Sequence, residues 1–429
     1  MAEQLLESML QAPPTGGPAW LAHARERARD ALLRDGLPLR DEAWKYTSLR
    51  ALAQRRFATN DPAGAYAAVD PQAFAMPGLE GARLVLVDGV FRADLSRLPT
   101  EAGVEVRSLG DALASVDGLL RGAFEDEPDD PGLAFVRLNT VLARDGLVLR
   151  VAAGARVDLP VHLVAFATGG AARAWHARIL VELGDGATLT LVEHHAGAAD
   201  DAQLGNLVCR HRLGSGARLD VLQVQDAPES SIRIRRSAFA LAADAQLNLR
   251  TLELGAALAR HDIAVELGGE CARFASRGVF VGRGRQHQDT HLGVRHAARD
   301  TACDLVWRGV AGDRARGVLH GAITVEAGAD GTDASLDTKN LLLSSQAEID
   351  AQPVLEILAD EVKAAHGATV GQLDAQALFY LRSRGIPEAH ARALLTLAFC
   401  RIAIDSLTNV ALREHVDRML LRHLPAEIA

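Results

Sequence analysis

GARVDL, at Gly154–Leu159, decides how this chain folds, because it returns. Gly186-Ala-Thr-Leu-Thr-Leu191 and Gly216-Ala-Arg-Leu-Asp-Val221 echo it, and Asp244-Ala-Gln-Leu-Asn-Leu249 is a fourth copy. The alanines Ala155, Ala187, Ala217 and Ala245 are spaced by roughly 30 residues, the range of stacked repeat architectures. Each copy opens on a turn residue and enters a stretch in which apolar and polar residues alternate. A corner followed by a strand laid on the equivalent strand of the preceding coil is what a β-solenoid requires. The pattern predicts such a core from about Phe135 to Val362. A β-sandwich whose hairpin turns use Gly-Ala would produce the same local signal.

Outside this region the period changes. From Pro18 to Asp35, Trp20, Leu21, Ala24, Ala28 and Leu32 recur at helical spacing, with Gly36 placed to end the helix. DEAWKYTSL (Asp41–Leu49) and an extended stretch, RLVLVDGVF (Arg83–Phe91), follow. EDEPDDP (Glu125–Pro131) is acidic and proline-rich, so a domain boundary is placed there. Beyond the repeats, Asp374 can cap a helix over Ala375–Arg384, Gly385 fits the left-handed position after it, and Pro387 prevents its continuation. A second helix is expected over about Glu388–Leu407 and a third after Thr408 or Asn409. The expected domains are residues 1–131, helical and mixed; 132–366, the β-core; and 367–429, helical.

Composition narrows the function. Hydrophobic residues are 48% and charged residues 24%, the balance of a folded protein. Aromatics are only 4% and glycines number 38, which suits stacked strands filled by Val, Leu and Ala. A net charge of −9 without a basic cluster argues against nucleic acid as a partner. The N-terminal MAEQLLESMLQ is a polar, helix-like stretch, and Ala391–Leu407 is interrupted by Arg392, Arg401 and Asp405. Neither reads as a signal or a membrane span, so a cytoplasmic location is expected. Cys209, Cys271, Cys303 and Cys400 form no C-x-x-C pair, and free thiols are the expectation.

Three places could carry chemistry. In RQHQDTHLGVRH (Arg285–His296), His287 and Asp289 form H-x-D, and His320 could complete a two-histidine, one-carboxylate iron site. That reading gives an iron-dependent oxygenase or a carbohydrate-acting enzyme on a β-helix; a polar strand face with hydrogen-bonded histidines explains the same residues. His194 and His195, adjacent on a strand, point to opposite faces and cannot easily share a metal. His366 precedes Gly367 and Gly371 where the β-region ends, and a neutral imidazole there is a competent iron ligand. The chain has no Walker A sequence, no G-x-G-x-x-G opening a helix and no G-x-S-x-G elbow.

DEAWKYTSL (Asp41–Leu49), FVRLNTVLARDGLVLRV (Phe135–Val151), RGVLHGAITV (Arg316–Val325), NLLLSSQAEIDAQPVLEILADEVKAAHGATVGQLD (Asn340–Asp374) and LFYLRSRGI (Leu378–Ile386) together carry a resemblance. The chain resembles the SufB/SufD family of iron–sulfur cluster assembly proteins, on its SufD side. The resemblance implies a right-handed parallel β-helix flanked by helical domains, acting as a scaffold subunit without turnover of its own. It implies a SufB partner and the ATPase SufC, docked on the C-terminal helices; Phe379, Tyr380, Arg382 and Arg384 mark the expected docking region. A nascent iron–sulfur cluster is expected at the interface with SufB, with His366 as the candidate iron ligand. Family members often carry a cysteine two residues before this histidine; Ala364 stands there instead, so no cluster is expected to be held by this subunit alone. An isolated chain can also use the surface meant for SufB to form a homodimer.

Overall fold

A computed structural model describes residues 4–59, 69–114, 118–125 and 128–424. Sixteen strands, from Asp145–Val151 to Lys363–Gly371, alternate between two parallel sheets, two strands to a coil and eight coils in all. Each strand pairs with the strand two further along the chain, as in Leu258–Leu267 on His287–His296 and Ala302–Ala311 on Asp333–Leu342. The solenoid expected from the repeats is therefore present, and the sandwich is not.

The repeated motif is its corner. Gly154, Gly186 and Gly216 adopt φ of 71°, 66° and 67°, and Asp244 takes the same left-handed conformation at 58°. Each corner amide reaches the next coil: Gly186 N donates to Ser215 O at 2.8 Å and Gly216 N to Ala243 O at 2.8 Å. The alanine that follows is fully buried at Ala187, Ala217 and Ala245. Three further corners, at Cys271, Asp300 and Gly331, repeat the positive φ at 60°, 56° and 77°. Their motif is masked in the sequence because Thr301 and Thr332 replace the alanine in the last two, and both threonine hydroxyls donate back into the turn.

Inside the coils, glycines make room for aromatic rings. An added Cβ at Gly278 would lie 2.3 Å from Trp307, one at Gly205 would lie 2.4 Å from Trp175, and one at Gly309 would lie 2.2 Å from Phe280. Each ring lies over a bare stretch of a neighbouring strand, so three aromatics fill what a Leu–Val ladder would otherwise fill.

Strands that precede the expected boundary at residue 131 join both sheets of the core. Arg83–Val87 pairs parallel with Val161–Ala167, and Val104–Ser108 pairs antiparallel with Asp145–Val151, so both sheets begin in the N-terminal region. Asp126 and Glu127 of the acidic stretch lie outside the described residues. The expected alternation from Phe135 is corrected: Ala134–Leu142 is a helix, wholly buried across the outer face of the first sheet. Its polar residues are bonded rather than solvated, which hid the helical period. Asn139 donates to the carbonyls of Ala177 and Asn206, and the buried Arg178 donates to Asn139 at 3.1 Å.

At the other end, Asp374 caps Ala375–Ser383 as expected, Gly385 has φ of 86°, and Asn409 caps Val410–His423. The middle helix is shorter than the pattern suggests, running Glu388–Cys400 before a 3₁₀ turn at Arg401–Ala403. Leu397, Cys400, Ile404, Val416 and Leu420 cover Leu222, Leu252, Val279 and Val310 on the outer face of the second sheet. The last strand, Lys363–Gly371, runs through the expected boundary at residue 366.

Many buried histidines follow from this packing. Burial pushes His162 and His176 down to about 3 and His194, His195 and His296 to about 4, from 6.5. Between about pH 4 and 6.5 the unfolded chain therefore binds more protons than the folded one, and stability falls as the pH drops through that window. The urea midpoint is expected to be clearly lower at pH 5 than at pH 7.5. Equal midpoints would show that these imidazoles are not held neutral.

Candidate functional site: the open end of the solenoid

Along the second sheet, parallel register stacks one interior row: Leu249, Ser276, Leu305, Leu336 and then His366. The first four are buried; His366 is exposed because no ninth coil covers it. The imidazole thus belongs to a regular strand at the end of the core row, and the β-region runs on past it to Gly371. Gly367 and Gly371 lie within or at the end of that strand.

Ala364 ends the neighbouring row, behind Phe274, Cys303 and Ala334. The thiol of that row is therefore two coils in. Burial pushes the Cys303 thiol up to about 12, and His296 Nε2 lies 3.3 Å from its Sγ. It does not replace the cysteine absent at Ala364. Among the described residues no group of three or more His, Cys, Asp or Glu side chains is arranged to hold a metal ion. His366 offers one nitrogen at an open surface.

Both edge strands at this end lie open: Glu348–Ile357 is the free edge of the first sheet and Lys363–Gly371 that of the second. Val354, Ile357, Leu358 and Val370 are exposed beside them. The helix Ala375–Ser383 buries none of its residues, with Phe379 73% and Tyr380 57% exposed. Arg384 stacks on the Tyr380 ring with Cζ 5.2 Å from the centroid, and Arg382 pairs with Glu388 at 3.2 Å. The four expected docking residues therefore lie on or directly after one exposed helix.

The H-x-D motif does something else. His287, Asp289 and His291 do share a strand face, but Asp289 is buried, its Oδ2 is bound to Arg260 at 2.6 Å, and Thr47 donates to the same oxygen. Burial would raise this carboxyl; the Arg260 guanidinium, with His291 and Thr47 bonded to it, outweighs burial and holds it well below the usual range. His287 Nε2 lies 2.7 Å from Thr47 Oγ1, and Arg260 Cζ sits 4.4 Å from the Trp44 ring centroid. The motif and the W-K-Y-T segment are two halves of one lock that fastens the N-terminal region to the first sheet. His320 stacks on His291 with centroids 4.8 Å apart. His194 and His195 do face opposite ways: His195 turns towards Glu193 inside the coils, while His194 stacks on His162.

Sequence reasoning placed His366 where the β-region ends; the corner period, carried on through Asp300 and Gly331, counts the coils and ends them at Lys363–Gly371.

The fold and its open end define a class: a two-sheet β-solenoid with helical attachments at both ends and one uncapped coil. Residues 166–399 match the description "SUF system FeS cluster assembly, SufBD core domain", and residues 7–163 match the SufBD protein N-terminal region. The iron–sulfur cluster assembly protein SufD of Escherichia coli is 30% identical over 92% of this chain and 91% of its own. A SufBD family protein of Synechocystis is 28% identical over 92% and 89%, and a chloroplastic protein of Arabidopsis thaliana, ABCI7, is 25% identical over 98% and 90%. The chain belongs to the SufBD family of the SUF iron–sulfur cluster assembly system.

Proposed function

We propose that the chain is a non-catalytic scaffold subunit that pairs with SufB through its open solenoid end and docks the ATPase SufC on its C-terminal helices. The nascent iron–sulfur cluster is the cargo of this joint, and His366 supplies an imidazole nitrogen to its iron. One observation carries the reading: an interior row that is buried through the coils ends in an exposed histidine between two unpaired sheet edges. Uncapped edges invite a partner strand, and a single imidazole needs thiolates or sulfide from elsewhere to complete an iron site. No described helix is long and apolar enough to cross a membrane, which suits work in the cytoplasm.

Docking of the ATPase falls to Ala375–Ser383, whose exposed Phe379 and Tyr380 provide aromatic anchors of the kind that dominate interfaces. Removing all the C-terminal helices would uncover Leu222, Leu252 and Val279, so loss of binding in such a truncation would not separate docking from folding. The double substitution Phe379→Ser with Tyr380→Ser is the cleaner test. It is expected to leave elution and melting unchanged and to lower affinity for SufC at least about tenfold. Unchanged co-purification with SufC would place docking elsewhere.

A further inference from the structure

A cleft of about 760 Å³ lies beside the first coil, at the opposite end of the solenoid from His366. That size falls within the range of small-molecule sites. Pro13, Pro14, Trp20, Leu21 and Leu113 give it apolar walls, and Arg25 and Arg144 are its charged residues. Among the described residues that line it there is no carboxylate. Elsewhere on the chain arginines are answered, as Arg150 is by Glu182 at 2.7 Å and Arg295 by Glu266 at 2.8 Å. Here the charges add: burial first, and then the charge of Arg144, push the Arg25 guanidinium below its usual value.

Backbone holds Arg25 in place. Its Nη2 donates to Ala143 O at 2.9 Å and its Nη1 to Gly16 O at 3.2 Å, while Nε is buried without an acceptor. Neutral carbonyls satisfy donors but leave the charge of the group standing. Arg144 is exposed, and its guanidinium makes no hydrogen bond or ion pair among the described residues. The helix Ala19–Asp35 begins at the same cleft, which Pro18 and Trp20 line. Pro18 gives it no side-chain cap and its first turn holds no acidic residue. The amides of Ala19 and Trp20 have no acceptor among the described residues. Such first-turn amides carry partial positive charge and point back past the start of the helix. Trp20 itself is half-buried, set edge-on against Phe124 with ring centroids 5.9 Å apart.

We propose that this cleft binds a small organic phosphate, a monoester whose dianionic head sits between Arg25, Arg144 and the start of the helix. Its apolar body lies along Trp20 and the two prolines. A dianion matches two guanidiniums, whereas a carboxylate would leave one positive charge over. Inorganic phosphate alone would leave the apolar walls in water. Titration calorimetry on the full chain, without SufB or SufC, tests this with phenyl phosphate, inorganic phosphate and benzoate as probes. Phenyl phosphate is expected to bind one to one, and the other two at least about tenfold more weakly. Arg144→Met is expected to weaken phenyl phosphate at least about tenfold and to leave the melting temperature of the free chain unchanged, because that side chain bonds to nothing in the fold. Trp20→Leu should weaken phenyl phosphate and leave inorganic phosphate as it was. Absence of phenyl phosphate binding, binding that Arg144→Met leaves intact, or benzoate or inorganic phosphate binding as tightly as phenyl phosphate would each overturn the proposal.

Discussion

Asp289→Ala is expected to destabilise the protein by about 3–5 kcal/mol, the range for removing one partner of a buried ion pair. The cost comes from what remains. Arg260 is buried between Asp289, Asp262 and the Trp44 ring, and its guanidinium cannot be neutralised by losing a proton. Losing Asp289 leaves Asp262 at 2.8 Å as its one carboxylate partner and strips Thr47 of its acceptor. The W-K-Y-T segment should then loosen from the first sheet, seen as faster proteolysis near Thr47 as well as a lower urea midpoint. His287→Ala removes only a half-buried imidazole bonded to Thr47, and about 1 kcal/mol is expected. Similar effects from the two substitutions would mean that the motif is not the ion-pair lock described above.

Trp307→Ala should cost a similar amount, about 3–5 kcal/mol, for a different reason. Trp307 is fully buried and lies against Gly278, where a Cβ would come within 2.3 Å of the ring. Deleting the ring leaves a cavity that the sheets cannot close, since the strand spacing is fixed by hydrogen bonds on both sides. The converse change, Gly278→Val, should also destabilise by overpacking, by about 1–3 kcal/mol. Chemical denaturation of the two variants checks both signs; a stabilised or neutral Gly278→Val would refute the close packing of ring on glycine.

These two sites show what the sequence could and could not reveal. Gly154, Gly186 and Gly216 occupy a backbone conformation that favours glycine, so the corners announce themselves at a spacing of roughly 30 residues and the solenoid follows. The capping of Ala375–Ser383 by Asp374 was legible for the same reason, since it depends on neighbours in the chain. Arg260 and Asp289 are 29 residues apart, and Thr47 is 242 from Asp289; no local pattern joins them. The H-x-D therefore looks like chemistry until register places Arg260 beside it. Ala134–Leu142 was misread because its polar residues are buried and bonded, so burial no longer follows hydropathy. His366 is named by its place in the chain, and its place at the end of an interior row was not legible there. Its meaning depends on being last in a row whose earlier members, Leu336 and Leu305, are one and two coils away.

The scaffold account stands on His366 more than on any other residue, because it is the donor that the open end presents. The chain co-expressed anaerobically with SufB and SufC, as wild type and as His366→Ala, allows iron and acid-labile sulfide to be measured on the purified complexes. The account predicts that the variant assembles the same complex in the same yield, with iron and sulfide content several-fold lower. Equal iron and sulfide in the two complexes would contradict it.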